Sequence, residues 1–182
     1  TYPDGRVKSW VYDNNGNEIQ SCIGGLCTRT AYDALDRATK LIDPMGFAVE
    51  TIYDAAGQVT SSKDARGNST AFEYDAAGRQ VKQTNSAGFV TSKEYDLAGN
   101  LVKTTDGAGN AVIQSYSNTN KRTSTTLATG AITKFGYDAN GVLLSETNPL
   151  GKAYQFAYDP LGALKTVTDP LGKITGYSWN GQ

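Results

Sequence analysis

Three sets of residues in this sequence have the types and spacing to do chemistry: a ladder of aspartates, a ladder of tyrosines and one close pair of cysteines. Asp follows Tyr at Asp13, Asp33, Asp54, Asp75, Asp96, Asp138 and Asp159, and further aspartates stand at Asp43, Asp64, Asp106 and Asp169. Regular carboxylates suggest calcium, which needs several oxygen ligands converging on one point. The calcium-binding Gly-Gly-x-Gly-x-Asp nonapeptide is absent. Each of these acids instead opens an Asp-x-x-Gly run, or in the case of Asp33 an Asp-x-x-Asp run, where its side chain caps a backbone turn. No metal and no cofactor is expected.

The tyrosines fall at Tyr32, Tyr53, Tyr74, Tyr95, Tyr116, Tyr137 and Tyr158, each 21 residues after the last, and Trp179 continues the series. On one face of a sheet, equivalent rings two strands apart would lie about 9.6 Å from one another. That spacing suits a glycan-binding ladder. It suits equally a packed inner face whose hydroxyls bond to the protein itself. Cys22 and Cys27 flank Ile-Gly-Gly-Leu. A bridge across a hairpin end and two free thiols both fit, while two thiols alone are too few for structural zinc. The sequence has no histidine. No Ser–His or Cys–His pair can form and no phosphate-binding loop is present, so no catalytic residue is expected and the chain reads as non-enzymatic.

The elements that position these residues follow from the turns. Between the Tyr-Asp turns lies a second series: Asp43-Pro-Met-Gly46, Asp64-Ala-Arg-Gly67, Asn85-Ser-Ala-Gly88, Asp106-Gly-Ala-Gly109, Asn148-Pro-Leu-Gly151 and Asp169-Pro-Leu-Gly172. The two series alternate every 10 or 11 residues, with glycine closing each turn at Gly57, Gly67, Gly78, Gly88, Gly99, Gly109, Gly141, Gly151, Gly162 and Gly172. Asp or Asn first and Gly fourth is the preference of a type I turn followed by a left-handed residue, the loop of a bulged β-hairpin. Where Gly is lost the replacements are Asp36 and Asn120, which tolerate positive φ.

Between turns run six or seven residues rich in Thr, Val, Phe, Tyr and Ser, which is strand length and strand composition. Thr70, Phe72 and Tyr74 alternate with Ala71 and Glu73, the mark of a half-buried antiparallel strand. The return strands give no such answer. Val59, Leu101, Leu143 and Leu164 share one position with Gln80 and Arg122, so their inward face stays open. The expected fold is all-β: tandem 21-residue hairpins in one long, twisted and curled antiparallel sheet of about sixteen strands. It forms a single array over residues 1–182, irregular at 12–32 where one residue is missing. Its unpaired edges invite self-association.

The near-neutral charge, 17 basic residues against 18 acidic, leaves no footprint for nucleic acid. No apolar run is long enough to span a membrane as a helix, and no signal peptide opens the chain. Starting at Thr1 in mid-pattern, it reads as a piece of something longer.

Tyr-Asp-x-x-Gly-Arg (Tyr74 to Arg79) and Asp-Pro-x-Gly with Thr three residues later (Asp169 to Thr175) resemble the RHS/YD repeat. The likeness covers nearly the whole chain and is weakest at Ser117–Asn120 and near Cys22–Cys27. It implies a β-ribbon spiralling into a hollow shell, which in bacterial RHS proteins and the C subunits of insecticidal toxin complexes encloses a toxin, and in teneurins serves adhesion. The implied partners are the remainder of a shell and an enclosed toxin polypeptide. The implied location is secreted or cell-surface, exported by a dedicated bacterial system. The paired-aspartate region with which bacterial members cut themselves is not matched in this sequence. The alternative reading is an extracellular glycan- or protein-binding repeat module.

Overall fold

The computed structural model of the protein describes residues 5–179. Every regular element among them is a β-strand, and none is a helix. The chain divides into two compact units, Thr1–Val90 and Thr91–Gln182. The first contains β1 (Lys8–Tyr12), β2 (Glu18–Ile23), β3 (Leu26–Tyr32), β4 (Ala38–Ile42), β5 (Ala48–Tyr53), β6 (Val59–Lys63), β7 (Ser69–Tyr74) and β8 (Gln80–Thr84). After β9 (Val90–Tyr95), the second continues with β10 (Leu101–Thr105), β11 (Ala111–Tyr116), β12 (Arg122–Thr126), β13 (Ile132–Tyr137), β14 (Leu143–Thr147), β15 (Ala153–Tyr158), β16 (Leu164–Thr168) and β17 (Ile174–Gly176). Within each unit every strand pairs antiparallel with the next in sequence.

The turns explain this regularity. In the loop after Tyr53, Gly57 N–H donates to Asp54 O at 3.1 Å and Asp54 N–H to Gln58 O at 2.9 Å. Asp54 Oδ1 accepts from the N–H groups of Ala56 and Gln58, both at 2.9 Å. This is a type I turn closed by a left-handed residue, and Gly57 sits at φ 86°. Asp36 and Asn120 hold the same place at φ 59°. The loop at Leu127 departs from the Asp/Asn signature yet keeps the fold: Gly130 N–H still reaches Leu127 O at 2.8 Å, and Leu127 N–H reaches Ala131 O at 2.9 Å. Here the backbone bonds and the left-handed Gly130 suffice without an acid.

A second irregularity settles which way the return strands face. Tyr53 lies opposite Val59, but Ile52 lies opposite Ser61, leaving Thr60 as an extra residue in β6. The same slip recurs at Thr39, Val81, Val102, Thr123, Leu144 and Lys165. Each is a β-bulge, which breaks the period-2 alternation of its strand. Register places Val59, Gln80, Leu101, Arg122, Leu143 and Leu164 directly across from a tyrosine, on the tyrosine's own face. In β7, Thr70, Phe72 and Tyr74 are half-buried while Ser69, Ala71 and Glu73 are exposed.

Neither unit has a core of the ordinary kind. Cys22, at 8% exposure, is the one buried residue among those described.

Candidate functional site: the tyrosine face

The tyrosines are fixed by their hydroxyls as well as their rings. Tyr53 donates to Ala38 O at 3.0 Å, Tyr74 to Val59 O at 2.8 Å, Tyr137 to Arg122 O at 2.9 Å and Tyr32 to Glu18 O at 3.2 Å. Trp179 keeps the pattern, its Nε1 donating to Leu164 O at 2.7 Å. Each acceptor heads the return strand of the preceding hairpin, where the ladder to the next strand has not yet begun. The aromatic series thus fills main-chain acceptors that the turn leaves over. Tyr116 instead donates to Gln114 Oε1 at 3.2 Å on its own strand.

Cations reinforce the rings. Arg37 stacks over Tyr53 and Arg122 over Phe135, each at 4.6 Å from the ring centroid. Arg37 also joins neighbouring turns, with Nε 2.7 Å from Asp33 Oδ2 and Nη1 3.0 Å from Asp54 O. Its equivalents do likewise: Asn17 Nδ2 donates to Asp36 Oδ1, Gln58 Nε2 to Gly78 O, and Asn100 Nδ2 to Asn120 Oδ1. Four Tyr-Asp turns are therefore linked to the next by the residue after the signature glycine position, whereas Val142 and Ala163 have no polar side chain to do so. Spacing alone hides this ladder, because it links residues 17 to 20 apart whose types vary.

The opposite face is wet and charged in β4 to β8, where Lys40 bridges Glu50 and Lys82 bridges Glu73, each at 2.8 Å. Lys103 and Glu94 repeat the arrangement on β10 and β9, also at 2.8 Å. It carries less charge in later strands, where Lys134 faces Ser124 and Thr147, and Gly136, Ser145, Ala157, Thr166 and Gly176 hold other places of the corresponding row.

The aspartates are occupied in their own turns. The Arg37 side chain holds the Asp33 carboxyl below the ordinary aspartate range, and Asn17, Asn68, Asn100 and Asn110 do the same for Asp13, Asp64, Asp96 and Asp106. For Asp75 the backbone N–H of Arg79 is the leading cause. Among the described residues no three His, Cys, Asp or Glu side chains cluster as metal ligands. The signature glycines from Gly57 to Gly172 lie at φ between 74° and 89°. Cys22 and Cys27 face one another across β2 and β3 and are joined by a disulfide, with Cα atoms 4.0 Å apart. Gly24 and Gly25 between them take φ 59° and 85°, a two-residue type I′ turn unlike every four-residue turn around it.

Known proteins place this arrangement. The structure superposes on the Tc holotoxin pore of Photorhabdus luminescens with TM-score 0.57 and 14% identity over 88% of this chain. It superposes on TcdB2-TccC3 lacking its hypervariable C-terminal region with TM-score 0.54 and 16% identity over 96% of the chain. In both, the chain spans 12% of the larger protein's length. These likenesses are of fold. No curated protein matches the sequence. The RHS repeat matches at residues 53–91, 78–111, 95–132 and 137–174, well over half of the chain. The chain belongs to the RHS repeat family.

Proposed function

We propose that the chain is a non-enzymatic stretch of β-wall whose tyrosine face lies against another polypeptide: the rest of a shell and the toxin it encloses. The observation that carries this reading is the missing core. A half-buried aromatic face, with Cys22 the one buried residue among those described, is an incomplete structure that other chain must cover. On this reading the two units are consecutive parts of one array, and the fold likeness to Tc toxin proteins supports the enclosing role.

The side chains best suited to catalysis support the non-enzymatic part. The sequence has no histidine, and the aspartates are hydrogen-bonded into their own turns. The hydroxyls of Tyr32, Tyr53, Tyr74 and Tyr137 are directed at backbone carbonyls rather than outward, which favours a lining over a glycan ladder. An exported, secreted or cell-surface setting agrees with the disulfide.

A photo-reactive amino acid placed at Phe72 or Phe156, on the tyrosine face, should cross-link to the enclosed polypeptide in the assembled protein. The same group at Ile52 or Ile113, on the other face, should not. Equal cross-linking from both faces would overturn the lining role.

A further inference from the structure

We propose that Cys22–Cys27 is an exchange-active disulfide, opened by a small-molecule thiol that attacks Cys27 and expels Cys22 as a thiolate. Four observations carry this. The two cysteines differ in exposure: Cys22 is 8% exposed, whereas Cys27 is half-buried beside the turn. A cavity of about 600 Å³ lies against the bond, lined by Gly5, Arg6, Val7, Ser9, Cys22, Gly24, Gly25 and Cys27. A side-chain carbon added at Gly5 or Gly25 would meet nothing within 4 Å, which leaves room for an incoming thiol.

The third observation is a built acceptor for the leaving group. Gln20 Nε2 donates to Cys22 Sγ at 3.3 Å. Arg29 Nε donates to Gln20 Oε1 at 3.1 Å, which fixes the amide with its N–H groups toward the sulfur. Gln20 and Arg29 are directly opposed across β2 and β3, two residues from the disulfide on the same face. A thiolate forming on Cys22 meets a positioned donor, and exchange is faster when the leaving thiol has the lower pKa. Fourth, this hairpin, like the Leu127 loop, lacks the acid that caps most of the turns. Asp33 and Asp43 each accept two backbone N–H groups within their loops, while residues 22–27 contain no Asp, Asn, Ser or Thr to do so. The covalent bond ties β2 to β3 beside the turn, so opening it loosens this hairpin and leaves the acid-capped turns as they are.

The step balances as ordinary exchange. The small thiolate forms a bond to Cys27 Sγ, the Cys22–Cys27 bond breaks, and its electron pair goes to Cys22 Sγ. A second small thiolate attacks the outer sulfur of the mixed disulfide, the bond to Cys27 Sγ breaks with its electron pair going to Cys27, and the two small molecules leave as their disulfide. Two electrons and two protons reach the cysteine pair.

The test treats the full chain with glutathione, quenches with acid, alkylates and maps adducts by mass spectrometry. Glutathione is expected on Cys27, with the alkylating label on Cys22. Gln20→Leu should slow opening by about tenfold, the size of a lost hydrogen bond to a charged group. Reduction should speed amide exchange in β2 and β3 while β5 to β8 stay unchanged. Adducts on Cys22, or equal adducts on both cysteines, would overturn the assignment even if Gln20→Leu fails to fold. So would equal opening rates in a folded Gln20→Leu variant and the wild type.

Discussion

Tyr53 and Ala38 are 15 residues apart, and the tyrosine hydroxyl donates to the alanine carbonyl at 3.0 Å. Ala38 is itself the partner across from Tyr32, the preceding tyrosine of the series. One side chain thus ties its own hairpin to the one before. The 21-residue period is a structural repeat because each unit completes its neighbour.

Removing that hydroxyl alone measures the tie. Tyr53→Phe keeps the ring under Arg37 and is expected to cost about 0.5–1 kcal/mol, the net value of a partly solvated hydrogen bond. Urea unfolding followed by circular dichroism would read it, and Tyr53→Ala should cost more because the cation–ring contact also goes.

Gly67 isolates the backbone requirement of the turns. It sits at φ 87°, and an added Cβ would meet only Lys63 Cε at 3.9 Å, an ordinary contact. Gly67→Ala should therefore cost about 1–2 kcal/mol from conformation alone. A neutral result in thermal melts would show that the turn relaxes.

The Leu127 loop allows a gain. It has the same backbone bonds as its neighbours but no acid at its first position. Leu127→Asp supplies an acceptor for the N–H groups of Thr129 and Ala131, worth about 0.5–1 kcal/mol. A drop in Tm on this substitution would contradict the capping account.

Acid should weaken six of the capped turns together. The carboxyls of Asp13, Asp33, Asp64, Asp75, Asp96 and Asp106 are held below their ordinary value of 3.8 by bonds made only in the fold. The unfolded chain then binds more protons in that range, so stability falls as pH falls. The contribution is complete about a unit above 3.8 and is lost progressively as pH falls through that value and through the lowered folded values. Urea midpoints should be highest at pH 7, lower at pH 4 and lower again at pH 3.

Turns, strands and the inward set of the outgoing strands were legible because each depends on local chemistry: Asp and Gly at fixed offsets, then alternation ending in Phe72 and Tyr74. The return strands were not legible, because the bulges at Thr60 and Val81 shift parity without any mark in composition. Val59 and Gln80 look unrelated until register shows both opposite a tyrosine. The Leu127 loop escaped the turn signature because the backbone kept the bend after the acid was lost. The state of Cys22 and Cys27 stayed open because only the two-residue Gly24-Gly25 turn sets them opposite one another. The pairing of Arg37 with Asp54, or Asn100 with Asn120, needed adjacent turns in space.

Hydroxyl-radical footprinting of the chain, alone and in its assembled protein, tests the wall most directly. Assembly should protect Phe72, Phe135 and Phe156 several-fold and leave Ile52 and Ile113 as reactive as in the isolated chain. Unchanged labelling of the three phenylalanines, or protection confined to the two isoleucines, would contradict an inward tyrosine face.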